Sequence, residues 1–189
     1  ANIYSFEGKT LQANNILKDF LINVEENVEI INALAINLLN IERLNDLDAH
    51  INKYIKKHES YILYYLRGYI LSEKEKISES EFFFKKSISL NKNFWNSYDL
   101  LLKQYEKQSR LKNFKNLIDS AKIIFKNNER VFYYESLYFF RVNDYSQSLN
   151  ILIDKETEKK FLSQENKAFL SDYFNLLSRV YEKLGFYNQ

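Results

Sequence analysis

A pattern of aromatic, small and aliphatic residues returns along this chain about every 34 residues, and such a period commits a sequence to repeated copies of one small unit. It is clearest over 61–94, where Tyr64, Arg67, Gly68 and Leu71 are followed by Ser80, Phe84, Ser87 and Ile88. The first set marks one helix and the second set its partner. Small residues at Gly68, Ser80 and Ser87 let two helices approach closely, while Tyr64 and Phe84 fill the space between neighbouring hairpins. One period later, 95–128 carries Tyr98, Leu101, Leu102 and Tyr105, then Phe114, Ile118 and Ala121. The large Phe114 stands where a small residue is expected, a departure that should shift the local packing.

The pattern extends in both directions. From Glu129 onward come Phe132, Ser136 and Phe139, the turn Asn143-Asp144-Tyr145, and then Ser148, Leu149 and Leu152. Backwards, 28–60 supplies Ile31, Leu34, Ala35 and Leu38, then Leu47, Ile51, Tyr54 and Ile55, and is one residue short of the period. The segment 10–27 reads as the second helix of an earlier hairpin, with Ala13, Leu17 and Phe20 on one face. At the other end, 171–189 supplies Phe174, Leu177, Tyr181, Leu184, Gly185 and Tyr187. The period breaks once, by about eight residues, at the polar run 154–160, which reads as an insertion or bent linker. The units expected are therefore 1–27 in part, 28–60, 61–94, 95–128, 129–170 with the insertion, and 171–189 in part, within a single domain.

This spacing resembles the tetratricopeptide repeat: an aromatic, Leu-Gly and Tyr on the first helix, then a small residue, an aromatic and another small residue on the second. The resemblance implies an all-α fold, a right-handed α-solenoid of antiparallel helical hairpins. In that family the first helix of each hairpin lines a concave groove that typically takes extended peptides. The positions that would line it here begin with Asn32, Ile36 and Asn40, then Tyr65, Tyr69 and Glu73, and continue with Asn96, Asp99, Lys103 and Lys107. Further along come Arg130, Tyr133, Tyr134 and Arg141, then Asn175, Arg179 and Lys183. Tyrosine gives contact area at low entropic cost, asparagine can bond a peptide backbone twice, and arginine can fork onto a carboxylate. Phe84, Tyr98, Tyr105, Phe132 and Phe139 read as core, whereas Tyr65, Tyr69, Tyr133 and Tyr134 fall where packing should not need them. Trp95, at a repeat boundary, reads as structural packing. Repeats that grip the acidic tail of a chaperone use a clamp of Lys and Asn, and the corresponding positions Asn32, Ala33, Ile36, Leu66, Asn96 and Leu100 lack its lysines.

Composition excludes several other classes. Hydrophobic residues make up 46% of the chain, too many for wholesale disorder, and their interruptions leave no membrane-spanning stretch. A balance of 27 basic against 25 acidic side chains argues against nucleic acid or an anionic membrane as partner. With no cysteine there are no disulfides and no thiolate metal sites, so the redox compartment is unread and the cytoplasm is the default location. No proline and three glycines suit helical hairpins better than a sheet, whose turns consume both. The sequence contains no methionine and reads as a piece of a longer protein.

Chemistry is sought and not found. His50 and His58 are the only histidines, about 12 Å apart along one helix, too far to share a metal ion, and both read as surface side chains. No HExxH, GxSxG or phosphate-loop pattern occurs. Glu73, Glu75, Glu79 and Glu81 alternate with Lys74 and Lys76 as a solvated helix end with local ion pairs. The expectation is a non-catalytic protein-interaction scaffold with no cofactor and no metal, a protein or peptide partner, and self-association through exposed repeat ends as an additional possibility. The alternative is the non-catalytic N-terminal arm of a larger enzyme, such as a bacterial sulfotransferase or glycosyltransferase.

Overall fold

The computed structural model describes residues 10–23, 27–154 and 167–186. These form helices α1 (Thr10–Asn23), α2 (Val28–Asn40), α3 (Leu44–Tyr54), α4 (Tyr61–Glu73), α5 (Ile77–Leu90), α6 (Trp95–Lys107), α7 (Leu111–Ile124), α8 (Glu129–Arg141), α9 (Tyr145–Leu152) and α10 (Lys167–Lys183). No strand occurs among the described residues. The polar run expected as an insertion lies outside them, apart from Asp154.

The repeat is written into the backbone. Helices α2, α4, α6, α8 and α10 each end in a turn with one residue in the left-handed region: Glu42, Glu75, Ser109 and Asn143 at φ between 54° and 64°, and Gly185 at φ 82°. These residues stand 33, 34, 34 and 42 positions apart. In each turn the following amide reaches back five residues. Arg43 N–H donates to Leu38 O at 3.0 Å, and Lys76, Arg110 and Asp144 donate to Leu71, Tyr105 and Phe139 at 2.9 Å. Phe186 does the same to Tyr181 at 3.0 Å. This satisfies carbonyls that the helix end leaves without partners. The opposite loops are capped by side chains: Asn27 Oδ1 accepts from Glu29 and Ile30 N–H, Ser60 Oγ from Leu63 N–H, and Asn128 Oδ1 from Arg130 N–H.

Three of the five left-handed positions, Glu42, Glu75 and Ser109, carry a side chain that resists that conformation. Glu75→Gly and Ser109→Gly are each expected to stabilise their unit by about 0.5–1 kcal/mol. Asn143→Gly should gain less, because asparagine tolerates this region and Asn143 Oδ1 accepts a 2.7 Å hydrogen bond from Tyr145 O–H. Urea midpoints of the three variants check the order; equal gains would show that conformation is not what separates them.

By its contacts the chain divides at Leu101/Leu102, inside α6, into two units. The core of the first gathers Leu17, Ile31, Leu34, Ala35, Leu38, Leu47, Ile51, Tyr54, Leu63, Leu66 and Ile70. Beside it, α4 and α5 meet at Gly68, where a Cβ would stand 2.7 Å from two carbons of the buried Phe84 ring. Ser80 Oγ donates to Gly68 O at 2.9 Å, and Ser87 Oγ donates to Tyr61 O at 2.7 Å while accepting from Ser97 Oγ at 2.8 Å. The small residues thus do two things: they admit the partner helix and they tie it by hydrogen bonds to backbone carbonyls.

In the second unit the same positions recur two periods on. Ser136 Oγ donates to Ser148 O at 3.0 Å and lies 2.8 Å from Ser148 Oγ, with both serines fully buried. One period before them, Leu102 and Phe114 are fully buried in their place, and Phe114 packs edge-on against Tyr134, centroids 6.0 Å apart. Large residues at both positions replace small ones at both. Tyr173 O–H donates to Leu152 O at 3.2 Å and ties α10 to α9. Of the aromatics expected in the core, Phe84, Tyr98 and Tyr105 are buried, whereas Phe132 and Phe139 are half-buried.

Candidate functional site

The five helices that end in a left-handed turn carry all the residues expected to line a binding groove. In the first unit Asn40 and Asn96 are exposed, and Ile36 keeps 39% of its surface in water. Asn32 is half-buried, and its Oδ1 accepts from Ser60 Oγ at 2.7 Å, so that oxygen already serves the fold. Tyr69 is half-buried against the core; burial, then Glu73 and Glu42, push its phenol up. Tyr65 packs on Phe84 and edge-on against Phe94, 5.2 Å between centroids. Burial raises its phenol, with further contributions from Asp99 and Tyr69, so Tyr65 on α4 and Asp99 on α6 feel each other across two first helices. Both phenols stay neutral donors.

Asp99 itself is buried, which leaves it less accessible than its place in the expected groove requires. Tyr134 is a clearer correction. It is only 4% exposed and packs edge-on against Phe114 and Tyr133. Successive helical residues point 100° apart, so Tyr133 and Tyr134 cannot share one face, and the core takes Tyr134.

In the second unit the expected residues converge on Tyr133. Its ring meets Phe169 of α10 edge-on at 5.7 Å. Burial, with Asp172 and Glu106 adding to it and Arg179 and Arg141 opposing, pushes its phenol up to about 12. Arg141 forms an ion pair with Glu106, joining α8 to α6. Arg179 of α10 lies over the Phe140 ring at 4.6 Å, and Arg130 lies over Phe169 at 5.3 Å. Arg179 and Lys103 are exposed. Glu106, Asp172, Phe140 and Phe169 were not expected in this cluster from the sequence. Glu106 stands 35 residues before Arg141, one repeat away, and an acid one period from a base is the signal that could have found it.

His50 is a second correction. It is half-buried, with Nε2–H donating to Ile31 O at 2.9 Å and its ring 4.9 Å from Tyr54, so it joins α3 to α2. Burial lowers its pKa against the opposing effect of that bond, and Lys53 and Lys18 lower it further, so it is a neutral structural donor. Two residues earlier, Asp48 pairs with Arg67 and with Lys74 Nζ at 2.7 Å. Burial raises the Asp48 carboxyl, but the Lys74 hydrogen bond and the Arg67 charge outweigh it and hold the group below the ordinary carboxylate range. Arg67 is therefore committed to the α3–α4 contact. Among the described residues no three His, Cys, Asp or Glu side chains are placed to hold a metal ion, and no helix is long and apolar enough to cross a membrane.

No family model matches the sequence, and no curated protein sequence matches it. Solved structures do. A tetratricopeptide repeat protein from Parabacteroides merdae superposes with TM-score 0.73 at 10% identity, over 98% of this chain and 71% of that one. PilF of Pseudomonas aeruginosa gives TM-score 0.73 at 14% identity, over 97% of this chain and 82% of that one. MamA from Desulfovibrio magneticus gives 0.69 at 14% identity, over 87% and 93%. With the period, the turns and these likenesses together, the chain has the tetratricopeptide-repeat fold, an all-α array of antiparallel helical hairpins.

Proposed function

We propose that the chain is a non-catalytic protein-interaction scaffold whose first-helix faces take a peptide or protein partner. The observation that carries this reading is chemical. Those faces keep half-buried tyrosines and exposed Asn and Arg side chains, of which Asn40, Asn96, Tyr69, Tyr133 and Arg179 are the clearest. Rigid tyrosines beside forked donors suit an extended backbone with polar side chains. The contacts expected in the first unit are Asn40, Tyr65, Tyr69 and Asn96, and in the second unit, taken by itself, Lys103, Arg130, Tyr133, Arg141 and Arg179. The double variant Tyr69→Ala/Arg130→Ala is expected to weaken peptides selected from a random display library by about tenfold or more, with cooperative melting retained. Unchanged affinity would remove the groove assignment.

The second reading, an arm of a larger enzyme, draws on α10, where Phe174 keeps 50% of its surface exposed and Phe186 just beyond it 47%. A further helix packed on that face would cover both. The reading is tested by the natural coding region around this sequence: an enzyme domain there supports it, and its absence removes it.

A further inference from the structure

Phe82 departs from the period on the solvent side of a second helix. Ala49, Phe82, Asn116 and Asn150 share one position of the repeat, each seven residues after the left-handed residue of its turn (Glu42, Glu75, Ser109 and Asn143). All four are exposed. Three of them are small or polar, whereas Phe82 keeps 58% of a large ring in water. That ring does not stand alone. It meets Phe83 edge-on at 5.3 Å, and Phe83 stacks on Tyr64 of α4 at 6.1 Å, so Phe82 is the exposed crest of a three-ring apolar patch.

The charges beside the patch run in opposite senses along α5. Glu79 lies one turn before Phe82, and Lys85 and Lys86 lie one turn after it. Three residues back and four residues on turn a helical position by about 60° and 40° in one sense, so Glu79 and Lys86 flank Phe82 on the same side. Lys85 falls on the other side and pairs with Glu81 at 2.7 Å, while Glu79 makes an exposed 3.6 Å contact with Lys76.

We propose that the Phe82 face of α5 docks on the same face of a second copy of this chain, as an antiparallel helix pair about a two-fold axis at Phe82. Antiparallel pairing brings the two Phe82 rings together and sets each Glu79 beside the other copy's Lys86. Parallel pairing would set Glu79 on Glu79 and Lys86 on Lys86, so charge selects the sense. The face is self-complementary, as a two-fold contact requires. One helix from each copy makes a small interface, so the dimer is weak, with a Kd of about 10–100 µM. It uses none of the residues proposed to meet a peptide and is independent of that reading.

Sedimentation equilibrium of the full chain from about 5 µM to about 1 mM tests it, the range being set by that Kd. The mass is expected to rise with concentration toward that of two chains. Phe82→Asn installs the side chain that two other repeats carry at this exposed position, and it should weaken association by about a hundredfold. Glu79→Lys and Lys86→Glu should each weaken it by about tenfold, and the two combined in one chain should restore it. A chain that stays monomeric at the top of the range would overturn the proposal and leave the patch to a different protein. Association that survives Phe82→Asn, or that the combined charge exchange fails to restore, would overturn it as well.

Discussion

Phe84→Ala is expected to destabilise the first unit by about 3–5 kcal/mol. The ring is fully buried, packs against Tyr65 and lies over Gly68, so its removal leaves a cavity in the contact between α4 and α5. A single domain is stable by only about 5–15 kcal/mol, so the unit would lose about a fifth or more of its margin. Gly68→Ala tests the same contact from the other side. Alanine at a helical position returns about 1 kcal/mol over glycine, but a Cβ 2.7 Å from a ring that cannot move costs about 1–3 kcal/mol. The net result is a loss. In a Phe84→Leu background the ring carbons are gone, and the same substitution should become neutral or stabilising. Denaturation of the four chains in this cycle reads the coupling directly. Additive effects would mean that Gly68 is small for some reason other than Phe84.

The second unit carries the corresponding constraint at Ser136, with a further penalty. Ser136→Leu is expected to cost about 2–6 kcal/mol: about 1–3 for forcing extra carbons into a fully buried site, and about 1–3 for leaving the Ser148 hydroxyl without its partner. Ser136→Ala removes the hydroxyl without adding bulk and should cost only the second of these, about 1–3 kcal/mol. The ratio separates a packing constraint from a hydrogen-bonding one, and thermal melting of the two variants measures it. If alanine proves as damaging as leucine, the hydrogen bonds to Ser148 dominate and close approach of α8 and α9 does not.

These contacts also show what the sequence discloses and what it hides. The all-α fold was legible because Gly68, Ser80, Ser87, Ser136 and Ser148 recur in phase with large aromatics, and small residues at that spacing have few uses except close helix packing. Phe114 looked like a defect because only one member of its pair was considered. Leu102 faces the same position on the first helix and is large as well, so the pair departs together. The turns were harder to read, since Glu42, Glu75 and Ser109 occupy left-handed positions where glycine is the usual signal. Their regular intervals reveal them only once the backbone is known.

The candidate site was less legible than the fold. Tyr133 and Tyr134 are adjacent and chemically identical, and nothing in the sequence assigns one to the core and the other to the outer face. Likewise His50 is an ordinary polar residue on an amphipathic helix, and its bond to Ile31 O follows from how α3 packs on α2. Glu106 and Asp172 became part of the cluster through contacts between first helices, which local sequence does not encode. Long-range placement decides such sites, whereas local period decides the fold.

The central claim is that the first-helix faces take the peptide and the second-helix faces do not. Its most direct measurement is an amide chemical-shift map of the full chain titrated with a peptide selected from a random library. Perturbations confined to α2, α4 and α6, or to α6, α8 and α10, with Tyr69 or Tyr133 among the most affected, are the predicted result. Perturbations centred on α3, α5, α7 or α9 would place the partner on the opposite faces and contradict the account.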